Sequence, residues 1–466
     1  MRQHVAPCLG WAFYMLSITV LAWDGSGMAE SGLLAGETAF RFNLVRLVFF
    51  SAGFFFGAFC ARKRREALSS KRILCFAVTL IVLGGLPVFA SGFWPLWTIV
   101  AGAGFIGFGT AVLFMLWQRA FALRGPYVSG YILAVASALG VLLFLAVSHV
   151  GFFGHPIAGS VCAAVVSAGI LSVVVGKAPA DTRPVERRVG LKALLVDMWK
   201  PVLCVSAFGF VWQIVYSLGL NSPSLSAILQ NSFVVSQIAA SLFLVLVWFK
   251  FHEYVHIELV FQLLFPLMAT GFLFMPFLGY DYRVAFIAFA LFAFGAMSIL
   301  MQIACLQKSE SLRIDPIFTV GVFAGFVYAA MTLGFAVGHC LQGGEDFGFA
   351  HLLVLALVLV YGLSAVFFAI KFRWKESRPS SVRDGAREVD GQMDACAAIA
   401  RGAGLSARET EVFELIVRGR DLPYIAEKLV VSKNTVRTHM KNIYTKLGVH
   451  SKQEAIDLVD DARETQ

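Results

Sequence analysis

Five residues near the middle of the chain have the types and spacing of a zinc protease site. His252, Glu253 and His256 form the pattern H-E-x-x-H, which on a helix places two imidazoles one turn apart beside a glutamate that can act as a general base. The segment lies in a short loop between two apolar stretches, and no downstream motif offers a convincing third zinc ligand. The chain also lacks a G-x-x-x-x-G-K-S/T nucleotide-binding loop. We therefore predict no metal site, no cofactor and no enzymatic activity.

A basic amphipathic segment near the C-terminus has the residue types of a binding surface. Four apolar residues recur at helical spacing and predict a helix over 433–447 with one narrow apolar stripe: Val436, Met440, Ile443 and Leu447. The opposite face is free of acids and rich in hydrogen-bond donors, which suits phosphate oxygens and base edges in the major groove of DNA. Alternatively, this polar face is the solvated side of an ordinary surface helix that does not bind DNA. The candidate DNA-binding residues are Lys433, Asn434, Thr435, Arg437, Thr438, Lys441 and Lys446.

Capping signals delimit this helix and its neighbours. Ser432 is a good N-cap for the segment 433–447. Ser406 with Glu409, and Ser451 with Glu454, have the spacing of capping boxes, so a helix should begin at each serine. Another helix should follow from Pro423. The residues expected to face inward on the first two helices are Val412, Leu415, Ile416, Ile425, Ala426 and Leu429.

The positions just described form one pattern: Leu405-Ser406-x-Arg408-Glu409, Ile425-Ala426, Leu429, Ser432-x-x-Thr435-Val436-x-x-His439, Ile443 and Lys446-Leu447. This pattern resembles the LuxR/FixJ-type helix-turn-helix family. The resemblance implies a four-helix domain over 404–466 whose third helix enters the major groove of double-stranded DNA. It places Arg437, Thr438 and Lys441 near bases or phosphates, whereas Thr435 and His439 fix the helix. It also implies a homodimer, formed through a last helix at 451–461, that binds two half-sites.

The rest of the chain has the composition of a membrane protein. Of 466 residues 58% are hydrophobic and only 14% are charged, with a mean hydropathy of +0.76. About twenty apolar residues span a bilayer core, and twelve stretches meet that requirement. They are 7–24, 38–60, 72–92, 94–117, 127–148, 154–176, 200–220, 223–249, 257–279, 283–306, 316–341 and 348–371.

Charge and composition divide the chain into five parts. Lys and Arg concentrate in alternate loops, which predicts a multi-pass protein of the inner (plasma) membrane with both termini in the cytoplasm. A six-plus-six topology with a basic loop after the second span resembles the major facilitator superfamily, so the fold class is an all-α polytopic bundle followed by the helix-turn-helix domain. The chain as a whole resembles membrane-bound LuxR-type regulators of gut actinobacteria. The expected parts are a six-span half at 1–176, a cytoplasmic linker at 177–199, a second half at 200–371, a flexible linker at 372–403 and the DNA-binding domain at 404–466.

Polar residues inside spans are costly in lipid and usually face the interior of a bundle. Those that we predict to bind a small-molecule ligand are Arg41, Arg46, Gln213, Asn231, Gln237 and Gln302. Arg46 suits an anion, because a guanidinium binds carboxylates in a bidentate manner. The alternatives are a salt bridge from Arg46 to Asp24, Glu30 or Glu37, and interhelical hydrogen bonds for the amides.

Two functions fit these features. The first is a membrane-embedded one-component transcriptional regulator that senses a small molecule through a transporter-like domain. The second is an active secondary transporter with a fused regulatory domain. The basic loop after the second span lacks the aspartate that transporters of the resembled superfamily usually carry there, which favours the sensor.

Overall fold

The computed structural model of the protein divides into two units, Met1–Phe368 and Ala369–Gln466. The structure describes residues 2–23, 37–63, 71–89, 95–150, 156–176, 191–219, 223–251, 280–340, 396–417, 422–429 and 431–449, with isolated positions at 260–277, 362 and 451–459. Within these ranges every regular element is helical. The two units are therefore all-α over the described residues, as the sequence predicts.

Ten long helices of the first unit lie within the described residues. They are α1 (Arg2–Trp23), α2 (Glu37–Lys63), α3 (Lys71–Phe89), α4 (Leu96–Ala122), α5 (Pro126–Val150), α6 (Pro156–Gly176), α7 (Leu191–Gly219), α8 (Pro223–Phe251), α9 (Tyr280–Ser311) and α10 (Pro316–Cys340). Each overlaps one predicted span, and eight of them are long and apolar enough to cross a membrane. The predicted spans 257–279 and 348–371 lie largely outside the described residues, and the His252–His256 motif lies wholly outside them.

One boundary differs from the expectation. The central linker was predicted to reach residue 199, but α7 already begins at Leu191. Leu194 and Met198 are buried, at 0% and 5% exposure. Leu194 and Met198 are four positions apart and therefore share one face of the helix. Packing of this face stabilises the start of α7, although the polar residues there are typical of a linker.

Within the described residues, the two halves of the first unit, α1–α6 and α7–α10, make their most extensive contacts through two pairs of helices. The helix α2 packs against α10, and α5 packs against α8. The contact between α2 and α10 is close, since a Cβ at Gly321 would lie 2.7 Å from the Phe54 carbonyl oxygen. Small residues permit this approach between helix backbones in a membrane.

The second unit is a small helical domain with its own core. Its described helices are α11 (residues 396–402), α12 (Ala407–Val417), α13 (Leu422–Lys428) and α14 (Lys433–Leu447). The core comprises residues from all four helices and from the segment that follows: Cys396, Ala400, Val412, Phe413, Leu415, Ile416, Val417, Ile425, Ala426, Val436, Ile443, Val449, Ala455 and Val459. The inward residues predicted for the first two helices of the DNA-binding domain are confirmed.

The predicted flexible linker 372–403 is wrong at its C-terminal end. Residues 396–402 form a helix, and Cys396 and Ala400 contribute to the domain core. Both side chains are small, and they lie four residues apart on one face of the helix. Packing against the core therefore orders a segment whose composition is that of a linker.

Candidate DNA-binding surface and candidate ligand cavity

The helix α14 has a buried face and an exposed polar face. Val436 and Ile443 are completely buried, and Met440 and Leu447 pack partly buried against the same core. Six of the seven predicted DNA-binding residues have exposed side chains: Asn434, Thr435, Arg437, Thr438, Lys441 and Lys446. The seventh, Lys433, begins the helix, and its side chain lies outside the described set. The predicted orientation of the helix is confirmed.

Both ends of α14 are fixed by local interactions. The Ser432 hydroxyl accepts a hydrogen bond of 3.1 Å from the backbone N–H of Thr435, which satisfies a free donor at the helix start. The helix ends at Gly448, whose φ of 69° is left-handed and favours glycine. On the exposed face the Arg437 Nη1 donates to the Asn434 Oδ1 at 3.1 Å. These contacts hold the donor-rich face on a helix with defined ends.

An ion pair ties the end of α14 to α12. The Lys446 ammonium donates to the Glu409 Oε2 at 2.7 Å and to the Gly404 carbonyl oxygen at 3.1 Å. The backbone N–H of Ser406 also donates to Glu409, at 2.8 Å, so the capping box is confirmed. The hydrogen bonds from Lys446 and Ser406 lower the pKa of Glu409 to about 2. Lys446 is thus already engaged within the domain, a role that the sequence did not reveal.

A second contact positions the preceding helix. The Arg408 Nη2 donates to the Leu429 carbonyl oxygen at 2.7 Å, and its Nη1 pairs with Glu411 at 2.6 Å. Leu429 follows the last residue of α13, so Arg408 connects α12 to the turn that leads into α14. The adjacent residues Arg408 and Glu409 therefore connect α12 to the turn before α14 and to the last turn of α14.

A cavity of about 170 Å³ lies in the first unit, between helices of its N-terminal half (α1–α6) and of its C-terminal half (α7–α10). It is lined by residues from α1, α2, α4, α5, α7, α8, α9 and α10. Four of the six predicted ligand-binding residues line it: Arg46, Gln213, Gln237 and Gln302. The lining also includes Trp11, Thr110, Ser298 and Tyr328, which the sequence analysis did not single out. A polar position within an apolar span was the signal that could have identified Tyr328.

Arg46 is the cationic residue of this lining. Its Nη2 donates to the Asn43 Oδ1 at 3.0 Å, and its buried Nε has no hydrogen-bond partner in the described part of the chain. The helix α4 approaches closely here, since a Cβ at Gly107 would lie 2.2 Å from the Arg46 carbonyl oxygen. Glycine at this position lets α4 pack directly against the backbone of Arg46. The guanidinium is therefore held on a tightly packed pair of helices.

The amides have two different environments. The Gln118 Nε2 donates to the Gln302 Oε1 at 2.6 Å, which joins α4 to α9 across the two halves. Such an interhelical hydrogen bond was the alternative to ligand binding by these amides in the sequence analysis. The buried Gln213 Oε1 has no partner among the described residues. Gln213 thus leaves an acceptor open at the cavity, whereas Gln302 is already hydrogen-bonded.

Two predicted ligand-binding residues do not line the cavity. Arg41 has an exposed side chain whose Nε donates to the Glu37 Oε1 at 2.9 Å. Asn231 is also exposed. Glu37 in turn lies 3.4 Å from the His339 Nε2 on α10 and is paired with Arg41, not with Arg46. Asp24 and Glu30, the other acids considered as partners of Arg46, lie outside the described residues.

The second unit has the organisation of a helix-turn-helix DNA-binding domain: a capped helix with an exposed basic face, packed through its apolar stripe on two shorter helices. Residues 403–459 match the family described as "Bacterial regulatory proteins, luxR family". The spore germination protein GerE of Bacillus subtilis is 44% identical over 52 residues, which are 11% of this chain and 70% of GerE. The chain belongs, through this domain, to the luxR family of bacterial regulatory proteins.

A longer regulator is similar to this chain over the same domain. The probable transcriptional regulatory protein NarL of Mycobacterium tuberculosis is 46% identical over 52 residues, 11% of this chain and 24% of NarL. The chain thus spans about a quarter of the length of NarL. The similarity to these regulators rests on the DNA-binding domain and does not extend to their other parts.

The fold of the first unit is similar to that of solved membrane proteins. The crystal structure of a bacterial homologue of the iron transporter ferroportin, in its outward-facing state, superposes with a TM-score of 0.58. The match covers 79% of this chain and 99% of that one, at 12% sequence identity. At that identity the likeness shows the fold alone. The protein thus joins a multi-pass membrane bundle, whose fold is similar to that of this ferroportin homologue, to a luxR-family domain.

Proposed function

We propose that this protein is a membrane-embedded one-component transcriptional regulator. Its C-terminal domain binds double-stranded DNA through α14, and its transporter-like bundle binds a small molecule that changes the activity of that domain. The observation that carries the proposal is the presence, in one chain, of a luxR-family domain with an exposed basic recognition face and a membrane bundle with an internal cavity. A ligand that favours one conformation of the bundle shifts the population of the DNA-binding state by its difference in affinity.

In the proposed complex the exposed face of α14 lies in the major groove. Arg437, Thr438 and Lys441 contact bases and nearby phosphates, together with Asn434 and Lys433. Thr435 and His439 fix the helix and its backbone. Lys446 is assigned to holding α14 on α12, because its ammonium is bound by Glu409 and Gly404.

Two copies of the domain are proposed to bind two half-sites through the helix at 451–461. From residue 404 to the end, ten Lys and Arg balance ten Asp and Glu, so one domain has little net attraction for DNA outside α14. Pairing of two domains supplies the missing affinity. Of that last helix, the structure describes the start, where the backbone N–H of Glu454 donates to the Ser451 hydroxyl at 3.1 Å.

Placement in the inner membrane, with both termini in the cytoplasm, is part of the proposal. Lys and Arg of the predicted cytoplasmic loops lie at helix ends, as at Lys63 on α2, Lys71 on α3 and Lys308 on α9. This is the distribution that the positive-inside rule expects of cytoplasmic loops. A cytoplasmic C-terminus is required if the domain is to meet DNA.

The DNA-binding half of the proposal is tested by capture of genomic DNA. The full-length protein in lipid nanodiscs would be incubated with sheared DNA from its own organism, and bound fragments sequenced. Discrete enriched sites are expected, and the double variant Arg437→Ala and Lys441→Ala should lose them. Lys428→Ala, which removes an exposed charge from α13, is the matched control and should retain them. Equal loss in the control, or no enriched sites, would contradict the proposal.

Transport is the competing function, since the fold is that of a transporter. No aspartate or glutamate occurs among the described residues that line the cavity, whereas proton-coupled transporters use intramembrane carboxylates. Uptake into vesicles that contain the purified protein measures this directly. Accumulation of a bound ligand against its gradient would establish the transporter instead of the sensor.

A further inference from the structure

The guanidinium of Arg46 lies nine residues beyond Glu37, the first residue of α2, among residues enclosed between the two halves of the bundle. A charged side chain at this depth is costly unless an opposite charge or several hydrogen bonds compensate it. The guanidinium has five N–H donors in a planar fork. The hydrogen bond to Asn43 uses one of them, and the buried Nε is left without a partner in the described residues.

No described carboxylate compensates this charge. Glu37, the acid on the same helix, is bound to Arg41 and His339. The described residues around the cavity offer amides, hydroxyls and aromatic rings, and no acid. Tyr328 is one of them, and a phenol can donate a hydrogen bond to an anion. The described lining of the cavity therefore carries the positive charge of Arg46 with no carboxylate to balance it.

The remaining lining fits an apolar body of limited size. Besides Tyr216 and Tyr328, six aromatic residues contribute to it: Trp11, Phe50, Phe114, Trp212, Phe233 and Phe294. The cavity holds about 170 Å³. An engineered apolar cavity of about 150 Å³ accommodates benzene, so this space admits one ring, or an aliphatic chain of similar volume, with one small polar group.

We propose that the ligand of this cavity is a small organic monocarboxylate with a compact apolar body, bound by its carboxylate to Arg46. The charge-assisted bonds of a planar guanidinium suit a carboxylate in particular, because the two groups can form two parallel hydrogen bonds. The aromatic lining receives the rest of the molecule. The inference rests on the proposed sensing function and names the class of molecule that is sensed.

The test compares three probes that share one ring and differ in charge: benzoate, benzamide and benzylamine. Full-length protein in nanodiscs is titrated with each probe, and binding is followed by tryptophan fluorescence, since Trp11 and Trp212 line the cavity. Benzoate should bind at least tenfold more tightly than benzamide. Benzylamine should bind least, because its ammonium would face the guanidinium. This comparison requires no variant and therefore does not depend on how a substitution affects folding.

Substitutions then test whether Arg46 causes the preference for benzoate over benzamide. Arg46→Gln should reduce the affinity for benzoate to that for benzamide, and Arg46→Lys should retain part of the preference. Arg41→Gln is the matched control, because it removes an exposed guanidinium of the same helix that does not line the cavity. It should bind all three probes as the unsubstituted protein does.

Any of four results would overturn the inference. The first three are benzamide binding as tightly as benzoate, no binding of any probe, and a carboxylate preference that survives Arg46→Gln. Binding of benzoate only after Asp24→Asn with Glu30→Gln would also overturn it, since a protein carboxylate would then occupy the guanidinium. Genomic DNA capture with the same nanodiscs separates the two proposals. If the protein still captures genomic DNA but does not bind benzoate, only the proposed ligand class is wrong. If it captures no genomic DNA, the proposed regulatory function is wrong.

Discussion

Replacing Glu409 by glutamine should destabilise the DNA-binding domain in a way that depends on pH. The carboxylate is 7% exposed and accepts the Lys446 ammonium at 2.7 Å. Glutamine keeps the shape of the side chain and can still accept the backbone N–H of Ser406, but it removes the charge. The variant therefore isolates the ion pair that connects α12 to α14.

The pKa of Glu409 sets an upper limit on this effect. The value falls from about 4.3 in an unfolded chain to about 2 in the folded domain. At about 1.4 kcal/mol per pH unit, this difference corresponds to at most about 3 kcal/mol. Because Lys446 is 39% exposed, water screens the pair, and we expect a loss of about 1 to 2 kcal/mol at neutral pH.

The direction of the pH dependence follows from the lowered pKa. The contribution of Glu409 is fully present above its unfolded pKa of about 4.3 and is lost as the pH falls through about 2. The difference in stability between the two proteins should therefore be constant from pH 7 to 5. It should shrink toward zero as the pH approaches 2.

The assay is thermal unfolding of the fragment 369–466, followed by circular dichroism between pH 2 and 7. This fragment contains the whole core of the second unit, and GerE matches this domain over 70% of its own length. A loss of 1 kcal/mol lowers the melting temperature of a domain of this size by roughly 4 to 8 °C. Glu411→Gln is the control, because its pair with Arg408 is half exposed and should contribute little. Equal effects of the two variants, or a difference that does not change with pH, would refute the reasoning.

Three further predictions concern single residues. Ser432→Ala removes the N-cap of α14 and should cost the fragment about 1 kcal/mol, with weaker DNA binding. Tyr444→Phe should be neutral or stabilising in the same melts, because the buried hydroxyl has no hydrogen-bond partner among the described residues; a loss above about 1 kcal/mol would contradict this. Gly107→Leu should lower the melting temperature of the full-length protein and weaken probe binding, since its Cβ would lie 2.2 Å from the Arg46 carbonyl oxygen; unchanged binding would show that this helix contact does not shape the site.

The recognition helix could be predicted closely because its signals are local. A serine N-cap and the apolar stripe that follows it delimit one segment, and the structure has the helix at Lys433–Leu447. The role of Lys446 could not be found in this way. Its partners, Glu409 and Gly404, lie about forty residues earlier in the chain and meet it only in the folded domain.

The ligand cavity could be predicted in part. Polar residues deep in spans do face the interior at Arg46, Gln213 and Gln237, as the cost of burying them in lipid requires. The sequence rule fails for Arg41, which lies five residues before Arg46. Five residues correspond to about 140° around a helix, so the two arginines cannot share one face. Asn231 lies about 120° from Gln237 for the same reason.

The central claim is that a membrane-embedded protein itself occupies DNA. Crosslinking in living cells, followed by isolation of washed membranes and sequencing of the attached DNA, tests it most directly. We expect a small set of enriched chromosomal sites that disappear in the Arg437→Ala and Lys441→Ala variant and persist in Lys428→Ala. Enrichment that is absent from the membranes, or that is unchanged by loss of the basic residues of α14, would contradict it.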